Sequence, residues 1–341
     1  MHDPLPIPPS QPAVDGLAQP RSRGTGIGWG RIKRIAILSL IPLIFVVFSF
    51  LLVLFFHQDA SANPASRLMT VMAVVDDHTL RADRWSDSIA DRAVIDGHTY
   101  SDKAPFSSFL VVPAYAAWRL FHRSADFSTA KEAAMHIGDI VAAALPFVLV
   151  SLLVFSQLRR LGQVRAAQIA LFAMFSTCLF QYGHTYYGHM LSACLLLCSY
   201  VLAVKTGRCF WAGVLGGLGV VTEYPIFLPE AIIGLWLLGP GLSGWRRTLK
   251  FVLGAIPPCL GLLVYNYALT GHVLSLSYSH VTDAWAPMRL AFGMRVPSPD
   301  AAWELLFGQF RGVLFWAPTL GLLAPLALQK PYGNAREPKR R

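Results

Sequence analysis

The chain has 341 residues, a formal charge of +10, and a make-up that is 54% hydrophobic but only 14% charged. Soluble domains carry roughly 25% charged residues, so this composition excludes an ordinary soluble enzyme and points to a chain embedded in a bilayer. The basic excess does not mark a nucleic-acid partner, because Lys and Arg stand in short clusters between apolar runs, as they do in loops beside anionic membrane lipids.

Residues 1–34 are rich in Pro, Gly, Ser and Gln and lack apolar periodicity, so a disordered cytoplasmic tail is expected there. Arg31, Lys33 and Arg34 then precede an uncharged run of 22 residues, Ile35 to Phe56. At about 1.5 Å per residue that run reaches about 33 Å, enough to cross the hydrocarbon core. It reads as a signal anchor, being too long for a cleaved signal peptide.

The composition changes between His57 and Thr129, which hold nine Asp, no Glu and seven Lys or Arg. A first outer loop is expected over 57–132. Within it Ser107–Phe121 is apolar, but at 15 residues with a central Pro113 it suits an interfacial helix better than a span. Further spans are predicted near 133–157, 166–183, 189–204, 209–222, 226–239, 249–269 and 310–328. The predicted fold class is therefore all-α, a polytopic membrane helix bundle of about eight transmembrane helices. The bundle occupies 35–329, with a second outer loop at 270–309 and a basic cytoplasmic tail at 330–341.

The distribution of Lys and Arg sets the orientation. Arg159, Arg160, Arg165, Lys205, Arg208, Arg246, Arg247 and Lys250 all fall on the side of the N-terminal tail, as do Lys330, Arg336 and Lys339. The links at 184–188 and 223–225 carry neither residue type, and 270–309 carries only Arg289 and Arg295. Counting Ser107–Phe121 as a span would reverse this asymmetry. Both termini are thus expected in the cytoplasm of an integral membrane protein, in a bacterium at the inner (plasma) membrane. The five cysteines lie in or beside apolar runs without a CxxC pair, so neither a disulfide nor a structural metal is expected.

The first outer loop concentrates polar chemistry. Asp76, Asp77, Asp83, Asp87, Asp91, Asp96 and Asp102 stand near His78, His98, Tyr100 and Lys103. Carboxylates beside a cation at a membrane surface suit group transfer, one removing a proton while the other charge steadies a leaving phosphate. A solvated acidic loop is the alternative. A hard divalent ion on Asp oxygens and His nitrogens stays open as a cofactor, although neither an EF-hand nor an HExxH spacing is present. His184 and His189, in QYGHTYYGHM, belong to the outer turn between the third and fourth spans. There they would be interfacial anchors or would face the first loop across a cleft. Glu223, in VVTEYP, ends a span at the same surface, and a charge at that depth is a functional candidate. Asn266, His272, Tyr278 and His280 reach the same side, where an aromatic belt is the alternative account.

At these residues the chain resembles the GT-C glycosyltransferases, and within them the bacterial family 39 group of protein O-mannosyltransferases and aminoarabinose transferases. The resemblance rests on an anchor span, an Asp-rich outer loop, the element Tyr100-Ser101-Asp102-Lys103-Ala104-Pro105, Gly188-His189, the stretch around Glu223, and RGVLFWAP at Arg311–Pro318, and covers about 35–328. It implies inverting transfer of a sugar from a polyprenyl-phosphate donor to an acceptor on the outer face. Lys103 would lie near the donor phosphate, with Tyr100, Arg67, His189 and Glu223 as further substrate contacts. The family places an Asp-Glu pair early in the first outer loop, whereas here Ser61–Asn63 carries no acid and Asp59 is the nearest. The base would then be Asp59, Asp77, Asp83 or Asp102, or catalysis has been lost. Two other classes stand beside the enzyme: a non-catalytic relative that binds lipid-linked sugar or a partner, and a transporter. A transporter would place charges in mid-span, and the acids inside the predicted spans, Asp139 and Glu230, both fall in the outer half.

Overall fold

The computed structural model describes residues 61–85, 89–239, 241–282, 298–310, 312–318 and Leu320, with scattered helical positions from Leu40 to Phe55. The tails expected at 1–34 and 330–341, most of the anchor at 35–56, and Asp59 fall outside the described residues. The chain divides after Leu40, and everything below belongs to the unit Ile41–Arg341.

The region expected to be a loop begins with a helix, α1 (Ala62–Asp76). Pro64 sits in its first turn, where a missing N–H costs nothing. Leu68, Met69, Val71 and Met72 are fully buried along it. The helix ends at Asp77, and the following His78 has φ of +53°, which turns the chain away. A short hairpin follows, strand β1 (Ala93–Ile95) antiparallel to β2 (His98–Tyr100), with Ala93 opposite Tyr100 and Ile95 opposite His98. Its two-residue turn is Asp96-Gly97, at φ of +50° and +79°. An Asp-Gly pair tolerates these positive angles, and the resulting turn matches the twist of the strands. This hairpin departs from the all-α expectation.

The predicted interfacial segment is helical, α2 (Phe106–Phe121), with Pro113 inside it. Next, α3 (Phe127–Leu161) starts earlier than the predicted span because Asp126 caps it, accepting from the Thr129 amide at 2.9 Å. Its first turns carry Lys131 and Glu132, so they add helix before the apolar run begins. The run predicted over 166–183 is broken into α4 (Gln163–Phe175) and the short α5 (Leu179–Gly183). Between them the Thr177 hydroxyl bonds back to the Ala173 carbonyl at 2.8 Å, an alternative to continuing the helix.

Four apolar helices follow: α6 (Gly188–Thr206), α7 (Cys209–Thr222), α8 (Tyr224–Leu238) and α9 (Leu242–Thr270). The shorter α10 (Pro299–Phe307) and α11 (Val313–Trp316) complete the described chain. Among the described residues, three helices are long and apolar enough to cross a membrane, namely α3, α6 and α9. Leu228, Ile232, Leu235 and Trp236 on α8, and Leu249, Val252, Leu253, Ile256, Leu260 and Val264 on α9, are exposed. Apolar surface this continuous suits lipid rather than water.

Two apolar cores matter for the polar residues. In the first, α1, α2 and α3 pack around Val71, Val111, Tyr115, Ala134 and Tyr186. Gly138 on α3 is required there, since a Cβ would strike the Tyr186 ring. In the second, the hairpin residues Ile95 and Tyr100 pack against Tyr265 and Leu269 near the end of α9. The first core fixes α1, and the second fixes β2 together with the chain that leaves it.

Candidate functional site

Helices α6 to α9 run in alternating directions through short links, so the start of α6 and the ends of α7 and α9 lie at one end of the apolar layer. Helix α1 and the 101–105 element bring charged side chains to these ends. Arg67, in the middle of α1, is only 1% exposed. Its Nη2 donates to Glu223 Oε1 at 2.5 Å, its Nη1 to Ser107 Oγ at 2.5 Å, and its Nε to Asn63 Oδ1 at 3.1 Å. An arginine cannot shed its charge, so burial at this depth demands such partners.

Glu223 follows directly after α7, and its side chain is 21% exposed. His189 Nδ1, from the first turn of α6, lies 3.2 Å from the same Oε1. Burial is the largest influence on the Glu223 carboxyl and pushes it upward, against the pull of the Arg67 charge. With His189 and Lys103 adding to that pull, the carboxyl is held below its ordinary value. Gly188 opens α6 against this pair, and a Cβ there would meet Glu223 Oε1 and come to 2.9 Å from Arg67 Nη2. Around His189 the rings of Tyr182 and Tyr187 pack at 4.8 Å and 5.4 Å.

Lys103 forms a second lobe. Its side chain is 7% exposed, and Nζ lies 2.9 Å from both Asp102 Oδ2 and Asp91 Oδ2. The Tyr278 ring stands 5.4 Å from Nζ, within cation–π range. Burial works against the ammonium, yet Asp102, then Tyr278 and Asp91, outweigh it and raise Lys103 above its ordinary value. Asp102 accepts on its other oxygen from Ser66 Oγ at 2.8 Å. Ser66 is the neighbour of Arg67 on α1, so the two lobes share a backbone. They are joined a second time by the Tyr224–Tyr278 contact, 6.5 Å between ring centroids, since Tyr224 follows Glu223 directly.

Arg67, Asp102, Lys103, His189 and Glu223, all singled out in the sequence, therefore meet in one cluster. Tyr100 lies beside it, buried against Tyr265. Asp77 and Asp83 stand elsewhere. Asp77 pairs with Arg84 at 2.7 Å, whereas Asp83 binds His98 at 2.9 Å and the Thr99 amide at 2.7 Å, where it braces the hairpin. Asp91 was one acid among many in the loop, and nothing in its spacing marked it as the second partner of Lys103. Tyr278, which the sequence placed on the same side with an aromatic belt as the alternative account, stands beside Lys103. Among the described residues no three His, Cys, Asp or Glu side chains converge to hold a metal ion.

With His189 neutral, the cluster sets the cations Arg67 and Lys103 against the carboxylates Glu223, Asp102 and Asp91, a formal sum of −1. It offers one exposed imidazole, one ammonium and a partly exposed carboxylate at the edge of an apolar layer, a set able to accept a proton and steady a negative charge. No family model, no curated protein and no solved structure matches the chain.

Proposed function

We propose that the chain is an integral membrane glycosyltransferase that moves a sugar from a polyprenyl-phosphate donor to an acceptor on the outer face of the membrane. In this reading about eight helices span a bacterial inner membrane, with both termini in the cytoplasm. The observation that supports it is the convergence of Lys103, Asp102 and Asp91 with Arg67, Glu223 and His189 at one end of the apolar helices. The substrate class comes from the GT-C resemblance, and the chemistry from the cluster.

The acceptor oxygen attacks the anomeric carbon as the bond from that carbon to the phosphate oxygen breaks, and the electron pair leaves on the lipid phosphate. Lys103 meets that phosphate by exchanging Asp91, the more exposed of its two carboxylates at 16% against 5% for Asp102. Asp102, locked by Ser66, keeps the ammonium in place. The test is transfer of radiolabelled sugar from a panel of polyprenyl-phosphate donors by protein reconstituted in vesicles. Lys103→Ala is expected to lower transfer by about 100-fold or more, the usual effect of removing a charge-stabilising donor.

A second reading, a non-catalytic relative that binds lipid-linked sugar, draws on the formal charge sum, since the cations are already neutralised by carboxylates. It expects donor binding without turnover from folded protein.

A further inference from the structure

We propose that His189 is the general base of this site, with Glu223 as its positioning residue and Arg67 anchoring Glu223. The inference rests on the transferase reading and supplies a base that Asp102, Asp77 and Asp83 do not. Asp102 spends both oxygens on Lys103 and Ser66. Asp77 and Asp83 are tied to Arg84 and to the hairpin, away from the cluster.

His189 has the opposite environment. Its side chain is 41% exposed, and its Nδ1 faces a carboxylate oxygen at 3.2 Å. An ionised carboxylate only accepts, so its contact favours the tautomer with the hydrogen on Nδ1, which leaves the lone pair of the neutral ring on Nε2. Nε2 takes part in no hydrogen bond among the described residues. Three features fix the imidazole's direction. Glu223 holds Nδ1, Tyr182 and Tyr187 pack against the ring, and Glu223 is itself prevented from swinging by Arg67, which binds Ser107 and Asn63 as well. A base held by an oriented carboxylate is the arrangement that lets an imidazole take a hydroxyl proton and keeps the resulting cation stable.

The step balances without a further reactant. The acceptor hydroxyl gives its proton to Nε2 as its oxygen bonds to the anomeric carbon. The bond from that carbon to the phosphate breaks, its electron pair stays on the leaving phosphate, and the imidazolium returns its proton to water. Ser66, which holds Asp102 beside Lys103, is the chain neighbour of Arg67, which holds Glu223, so the base and the phosphate contact belong to one site.

The experiment has an activity arm and a chemical arm, both on the full chain in vesicles. In the first, His189→Ala is expected to lower kcat by about 100-fold or more with a smaller change in KM. Added imidazole should restore part of kcat in that variant and not in Lys103→Ala. His189→Gln should match His189→Ala without imidazole, and Glu223→Gln should lower kcat at little change in KM. Near-native turnover by His189→Ala, or equal gains from imidazole in both variants, overturns the proposal. In the second arm, diethyl pyrocarbonate labelling at His189 is followed by mass spectrometry against the exposed His272. Labelling is expected to slow several-fold in Glu223→Gln, and an unchanged ratio overturns the dyad. If wild type transfers no sugar while labelling depends on Glu223, the dyad stands and the transferase reading falls. If transfer survives His189→Ala, the transferase reading stands and the base assignment falls.

Discussion

Replacing Arg67 by Met removes the guanidinium and nearly preserves its length. Glu223 loses its principal counter-charge, and Ser107 and Asn63 lose their donor. Removing one partner of a buried ion pair costs about 3–5 kcal/mol. Glu223 is 21% exposed and regains some water, so the screened expectation is roughly 2–4 kcal/mol. Glu223→Met leaves the opposite charge stranded at a position 1% exposed, and should cost about 3–5 kcal/mol. The double variant has no charge to strand, so its loss should fall short of the sum by about 1–3 kcal/mol. The assay is reversible unfolding from mixed micelles by added dodecyl sulfate, followed by the fluorescence of the nine tryptophans. Additivity within about 0.5 kcal/mol would refute the pairing.

Gly188→Ala places a methyl against Glu223 and Arg67, and is expected to cost about 1–3 kcal/mol in the same assay; an unchanged midpoint would mean that α6 starts farther from the pair. Asp102→Asn weakens the grip on Lys103 and should cost about 1.5–3 kcal/mol, whereas Asp77→Asn in its exposed pair with Arg84 should stay within about 1 kcal/mol. The reverse order would sink the assignment of Asp102 to the cluster. Glu223 is held below its ordinary 4.5, so its contribution to stability is present above that value and is lost as pH falls through the lower folded one. Lys103 is held above its ordinary 10.5, so its contribution is present below that value and is lost as pH rises through the raised one. Unfolding midpoints below pH 4.5 should fall more steeply for wild type than for Glu223→Gln, and parallel curves would contradict the shift.

Much of the cluster is legible in the sequence because charge is scarce in this chain. Lys103, Glu223 and His189 stand out where apolar runs end, and their neighbours in sequence already placed them on one face. Asp91 could not be found in the same way, since a string of aspartates offers no periodicity to choose among them. The hairpin was within reach, because Asp96-Gly97 between apolar β-formers carries its own turn chemistry. Its strands are three residues each, too short to register against the surrounding polar loop. Helix α1 was hidden because its apolar stripe, Leu68 to Ala73, lies in a segment whose net character is acidic. Helix extent was read best where glycine or a polar turn ended the run, as at Thr206-Gly207, and worst where a cap extended it, as at Asp126.

The contact between α7 and α9 has a mechanical consequence. A side chain at Gly213 would collide with the carbonyl of Phe251, and one at Gly254 with the carbonyl of Phe210, so the helices meet backbone against backbone. Rods locked this way have no side-chain gears to slip, and Glu223 at the end of one and Tyr265 on the other form a fixed jaw. The facing side, α1 with the 101–105 element, is tied to that jaw by the Arg67–Glu223 pair and by Tyr100 packed on Tyr265, so the site is braced from both sides.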